Sequence, residues 1–207
     1  VSRSGPLRNL RFMAKGEGTS RDWLSDQRAD LAAERILDAA AQLFAERGPA
    51  GVGMGDIAKA AGCSRATLYR YFDNRQAVHI AFVHRETRRI AARVHERVSG
   101  ISEPAELIVT AMLTAIREVR SDPILIAWFG PGESGPAGRI SQDSDVIEAI
   151  AGDLFAPAVP DLEERSRLAR WLTRIIVSFL AAPGRDEADE RAMLEDFVAP
   201  VITRAFA

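Results

Sequence analysis

Residues 61–74 read AGCSRATLYRYFDN. Gly62 interrupts the run by offering a backbone angle that other residues resist. Before it, residues 54–61 (MGDIAKAA) have the composition of a short helix. After it, Ser64 is a good N-cap for a second short helix over Arg65–Phe72, and Asp73–Asn74 forms a turn. Helix, tight break, helix is a helix-turn-helix pattern. Ala58 is small where the two short helices must approach closely. Ile57 and Leu68 are expected to plug the space between them and the helix that precedes them. The second helix then presents Arg65, Ala66, Thr67, Tyr69 and Arg70 outward. Arginine can reach a guanine edge, the Ala66 and Thr67 methyls can meet a thymine methyl, and hydroxyls can bond phosphates or bases. Such a face suits the major groove of a DNA duplex.

Working outward, Ile36, Leu37, Ala40, Ala41 and Phe44 recur at three and four residues and predict a first helix over about 32–47. Asp30 is its expected cap, and Gly48 with Pro49 ends it. A long fourth helix is expected over Arg75–Val98, with Val78, Phe82, Ile90, Val94 and Val98 along one side. Further helices are expected over about 104–121, 123–129, 142–155, 161–181 and 187–205. Pro200 should kink or split the last. The stretch FGPGESGPAG (129–138) reads as a loop. No stretch reads as a strand. The expected class is all-α, with about nine helices: a three-helix helix-turn-helix domain joined by the long fourth helix to a C-terminal helical domain. The expected divisions are a flexible N-terminal arm (1–29), the helix-turn-helix domain (30–76) and the C-terminal domain (77–207).

The charge is unevenly placed. The 207 residues carry a formal charge of only −2, yet residues 1–100 hold 17 Lys/Arg and 11 Asp/Glu while residues 101–207 hold 10 and 18. A basic front and an acidic back suggest that the front faces a polyanion. The single cysteine, Cys63, forms no intrachain disulfide, and no apolar run reaches transmembrane length. The N-terminal stretch has no apolar signal core, so a cytoplasmic, DNA-associated protein with no membrane partner is expected. His79, His84 and His95 lie on the fourth helix. His84 and His95 share a face but stand about 16 Å apart at the helical rise, too far for one metal ion. No nucleophile elbow, phosphate loop or dinucleotide fingerprint is present, so neither an enzyme nor a cofactor is expected.

The stretch from Asp56 to Phe82 resembles the DNA-binding signature of the TetR family of bacterial transcription regulators. The matching pieces are DIAKAAG, TLYRYF, and then a turn, a basic residue and AV opening the long helix. The resemblance covers about residues 32–82. It implies a homodimer that binds palindromic double-stranded operator DNA, usually as a repressor, and lets go when a small molecule enters the C-terminal domain. It places base contacts on Arg65, Ala66 and Thr67, and phosphate contacts on Tyr69, Tyr71 and Arg75, with Ser64 at the helix start. Arg70 is counted with them from its place on the outer face. Arg75 stands where the family usually has lysine, Gln76 where glutamate is common, and Gly53 near a common threonine that caps the second helix and touches phosphate. Cys63 stands where a buried β-branched residue is usual and is expected to act as a small core hydrophobe. The basic residues Arg8, Arg11, Lys15, Arg21 and Arg28 either follow the minor groove or belong to a tail without effect.

In the C-terminal half, Met112, Trp128, Phe129, Phe155 and Trp171 are the candidate ligand wall, which points to an apolar or amphipathic effector. Leu172, Ile176, Phe179, Phe197, Val201 and Ile202 are the candidates for a dimer interface built as a four-helix bundle, although some must face the subunit's own core. The alternative is an architectural or constitutive DNA-binding protein without a working effector pocket.

Overall fold

The computed structural model describes residues 22–129, 140, 144–156, 159 and 161–205. Residues 1–21 of the expected arm, with Arg8, Arg11, Lys15 and Arg21, and most of the glycine-rich loop lie outside them, whereas residues 22–29, Arg28 among them, are helical rather than a flexible arm. Two compact units are distinguished, Val1–Arg35 and Ile36–Ala207. Every buried apolar side chain among the described residues belongs to the second.

All the described secondary structure is helical. The elements are α1 (Asp22–Arg47), α2 (Met54–Ala60), α3 (Arg65–Tyr71), α4 (Arg75–Val98), α5 (Pro104–Ser121) and α6 (Pro123–Ile126), the last followed by a 3-10 turn (Ala127–Phe129). Then come α7 (Asp145–Asp153), α8 (Leu162–Ala181) and α9 (Glu187–Met193), a π-helical stretch (Leu194–Val198) and α10 (Ala199–Ala205).

Most boundaries follow from local chemistry. Ser64, Asn74, Glu103, Asp122, Ser144, Asp161 and Asp186 each accept a backbone N–H at the start of α3 through α9 in turn. Each satisfies donors that a helix start leaves unpaired. Proline follows the cap of α5 and of α6, where its missing N–H costs nothing. Helix α1 begins at Asp22, well before the expected start near 32. Residues 22–31 contain neither glycine nor proline, so nothing halts the helix on that side, and Asp30 lies inside it rather than capping it.

The C-terminal helix is interrupted as Pro200 requires. Its ring lacks the N–H and would collide with the carbonyl one turn back. The chain accommodates it by widening the turn before it into the π stretch Leu194–Val198, after which α10 resumes.

Two regions of core matter for function. Ile36, Phe44, Val52, Ile57, Leu68 and Val78 are buried beneath the helix-turn-helix. In the C-terminal half, Ile108, Met112, Phe155, Leu172, Leu194 and Ile202 belong to one apolar cluster. Helix α4 serves both. Its Val78 and Phe82 lie in the first region, and its Val94 and Val98 pack with Ala111 of α5.

Candidate nucleic-acid interface

The break between α2 and α3 is held by backbone hydrogen bonds that need a left-handed residue. Gly62 has φ +67°. Cys63 N donates to Ala58 O (3.0 Å) and Gly62 N to Lys59 O (3.2 Å), a Schellman closure of α2. Cys63 itself is half-buried. At the other end of α2, Gly53 is the N-cap and supplies no side chain. Asp56 compensates in part: its carboxylate accepts the Gly53 N–H at 3.0 Å and pairs with Arg47 at 3.5 Å. This is half of a capping box.

Helix α3 is sharply two-sided. Leu68 is 0 % exposed, and Phe72 at the helix end is buried with it. Arg65, Ala66, Tyr69 and Arg70 stand exposed, Tyr69 at 48 %. Ser64 is exposed as the cap. Its Oγ accepts the Thr67 N–H at 3.0 Å and shares a hydrogen bond with Thr67 Oγ1 at 2.9 Å. Thr67 and Tyr71 are half-buried, and the Arg70 guanidinium lies 5.4 Å from the centre of the Tyr71 ring. Arg75, exposed at the start of α4, donates to the Ala50 carbonyl at 2.9 Å and so ties the α1–α2 loop to α4. The structure therefore gathers Ser64, Arg65, Ala66, Thr67, Tyr69, Arg70, Tyr71 and Arg75 on or beside one short helix that buries its opposite side.

The base of this platform is joined to the rest of the unit by rings. Phe44 of α1, His79 and Phe82 of α4 and Trp128 after α6 meet at centroid distances of 5.0–5.4 Å, mostly edge to face, with Phe82 and Trp128 stacked. Burial, and then the nearby Arg75 charge, lower the His79 pKa to about 4, against the raising effect of a hydrogen bond to the Pro49 backbone, so the ring is neutral at neutral pH. His79 Nε2 and Trp128 Nε1 have no hydrogen-bond partner among the described residues. Beside the rings, buried Arg85 reaches Asp38 of α1 at 2.8 Å and Glu86 at 2.9 Å. Sequence reasoning passed over Arg85, although its spacing from Val78 and Phe82 places it on the inward face of α4. His84, also on α4, bonds Ser144 Oγ, the cap of α7, at 2.7 Å.

The candidate ligand wall is not one surface. Met112 and Phe155 lie in the C-terminal core cluster, Trp128 lies in the ring cluster, Phe129 is half-buried, and Trp171 is 37 % exposed on α8. Two clefts of about 270 Å³ each run along α5 instead. One is lined by Arg97, Ile101, Glu106, Thr110, Leu113, Thr114, Arg117 and Arg191, the other by Leu113, Ile116, Arg117, Arg120, Ser121, Glu187 and Glu190. None of the five candidates lines either. Among the dimer candidates, Leu172 and Ile202 are buried inside the subunit, Ile176 and Phe179 are half-buried, and Phe197 (71 %) and Val201 (54 %) are exposed. Among the described residues no group of three or more His, Cys, Asp or Glu could hold a metal ion, and no helix is long and apolar enough to cross a membrane.

A helix pair closed on a left-handed glycine, buried on one side and with a basic polar face turned outward, defines a DNA-binding helix-turn-helix protein. Comparison with known proteins narrows the class. Residues 36–81 match the model of the bacterial regulatory proteins of the tetR family. An HTH-type transcriptional regulator of Mycobacterium tuberculosis is 50% identical over 187 residues, covering 90% of this chain and 93% of the relative. The HTH-type transcriptional regulator AlkX of the same organism is 26% identical over 182 residues, covering 84% and 86%. The crystal structure of the TetR family repressor AlkX from a Dietzia strain shares the fold, with a TM-score of 0.64 at 23% identity over 84% of this chain and 97% of that one. The chain belongs to the TetR family, whose members are DNA-binding transcriptional regulators rather than enzymes.

Proposed function

We propose that this protein is a ligand-responsive repressor that binds a palindromic operator as a homodimer through α3 and is released by a small apolar or amphipathic molecule. The observation that carries the reading is the two-sidedness of α3: Leu68 is fully buried while Arg65, Ala66, Tyr69 and Arg70 are free to meet a duplex. Arg65, Ala66 and Thr67 take the base edges. Ser64, Tyr69, Arg70, Tyr71 and Arg75 take the backbone, and Arg75 keeps a positive charge while anchored to the Ala50 carbonyl. The effector domain is 77–207, and its largely apolar core favours an apolar or amphipathic ligand. Helix α4, packed in both regions, carries the response. A ligand that binds the DNA-free state better changes the separation of the two α3 helices and lowers operator affinity.

Selection from random duplex DNA with the purified protein, followed by titration at two salt concentrations, tests the reading. The expected result is an enriched palindrome bound about 10³-fold or more above random DNA. Arg65→Ala should relax the preference at one base position per half-site by about 5- to 100-fold, with little change in the salt slope. Binding without any enriched sequence would replace this reading with that of an architectural protein.

The dimer is proposed on Phe197 and Val201, one helical turn apart and both exposed, with half-buried Ile176 and Phe179 and exposed Trp171 of α8 as further contributors. Leu172 and Ile202 spend their apolar surface inside the subunit. Phe197→Glu should therefore halve the mass seen by light scattering at micromolar concentration while leaving the circular dichroism of the helices intact. A Phe197→Glu protein that still scatters as a dimer would move the interface elsewhere.

A further inference from the structure

Gly55 lies in the first turn of α2, where glycine is a poor choice for a helix. Its backbone does not require it: positive φ occurs among the glycines at Gly48, Gly62 and Gly100. What glycine provides there is space. A Cβ on Gly55 would collide with Arg65 Nη2 and would come within 3.2 Å of Arg65 Cζ and Nε. The guanidinium of the first residue of α3 therefore lies over the bare backbone of α2. It has no ion pair or hydrogen bond among the described residues. The nearby acid, Asp56, is engaged with Arg47 and the Gly53 N–H. Arg65 thus packs against Gly55 by van der Waals contact, and its five N–H donors remain available to a ligand.

We propose that Gly55 is a positioning residue for operator recognition: it forms the seat that aims the Arg65 guanidinium at a base edge. The inference rests on the reading that Arg65 contacts the operator. An aimed planar fork loses less freedom on binding than a mobile one, and bidentate contact to a base tolerates little displacement. Any side chain at position 55 lifts the fork off its seat. The colliding atoms are the far end of a flexible side chain, so the displacement costs the fold little and the base preference much.

The test compares wild type, Gly55→Ala, Gly55→Ser, Arg65→Ala and the Gly55→Ala/Arg65→Ala double variant, all as full-length protein. Each is melted, then titrated against the selected operator and its single-base variants. Gly55→Ala and Gly55→Ser should melt no lower than wild type, and each should lose about tenfold in discrimination at the position that Arg65→Ala relaxes. In the Arg65→Ala background, Gly55→Ala should add no further loss, because the two changes act through one side chain. Unchanged discrimination in both Gly55 variants overturns the inference while leaving Arg65 as a reader. So does a further loss in the double variant, or a lower melting temperature in both Gly55 variants, since either would give Gly55 a role apart from Arg65. An Arg65→Ala protein with wild-type base preference would instead defeat the underlying reading of α3.

Discussion

Trp128→Ala lowers the unfolding free energy by about 3–5 kcal/mol, the range for deleting a fully buried aromatic side chain. Trp128 is 2 % exposed and touches three rings, from α1 and α4, two edge to face and Phe82 stacked, so truncation opens a cavity among Phe44, His79 and Phe82 that these rings cannot readily collapse to fill. The matching expectation is that Trp128→Phe costs much less, about 1.5 kcal/mol or under. It keeps an aromatic ring in the stack and removes the indole N–H, a buried donor that finds no partner among the described residues and so is itself destabilising. Chemical denaturation of the two variants checks both. Equal losses would mean that the N–H has a partner worth keeping, and that the site is more polar than its neighbours indicate. The functional interest is position. The same four rings join the helices beneath the DNA-binding face to the segment after α6, so a looser cluster weakens the link through which α4 is proposed to carry the effector response.

Glu190→Ala has an effect of similar kind, through Arg120 in the last turn of α5. The Glu190 side chain is 1 % exposed. Its two oxygens accept both Nη groups of Arg120 at 2.7 Å, and Oε1 also accepts the Gly184 N–H at 2.8 Å. Arg120 in turn donates to the Phe179 carbonyl near the end of α8. Gly184 is needed for this approach, since a Cβ there would lie 2.7 Å from Glu190 Cγ. One carboxylate thus ties α5, the end of α8 and the loop before α9. Removing it leaves a backbone N–H and a guanidinium without their acceptor. Breaking such a pair costs about 3 kcal/mol here, toward the low end of the usual range because Arg120 is partly solvated and can recover water. The hydrogen bonds from Arg120 hold the Glu190 carboxyl below the usual carboxylate range, against the opposing effect of burial, with the Gly184 N–H adding to the lowering. The folded state therefore binds this proton less readily than the unfolded chain, and the contribution is fully present at neutral pH. It is lost as pH falls through the carboxylate range. Acid unfolding measured at several pH values should be steeper for wild type than for Glu190→Ala. Equal slopes would show that the acid sensitivity lies in other carboxylates.

The helix-turn-helix was legible because its signals are local. Gly62 breaks α2, Ser64 caps α3 within three residues, and the burial of Ile57 and Leu68 stems from periodicity over one or two turns. The split of the last helix at Pro200 was legible for the same reason, although its form, a widened π turn, was not. The upstream extension of α1 was missed because the apolar stripe begins only near Ala32, and a helix without breakers can continue past its stripe.

The amino-acid sequence by itself determined the helical class, the two-helix reading motif, the family and the exposed character of Arg65, Ala66, Tyr69 and Arg70. Each of these rests on forces that act within a few residues along one helix. Tertiary structure alone decided that Gly55 seats Arg65, that Trp128 meets Phe44 and His79, that Arg120 finds Glu190 seventy residues away, and that Leu172 and Ile202 face inward while Phe197 and Val201 face out. These pairings depend on the angle and depth at which whole helices pack, and that geometry is set by the sum of many small contacts across the core rather than by any short stretch of chain.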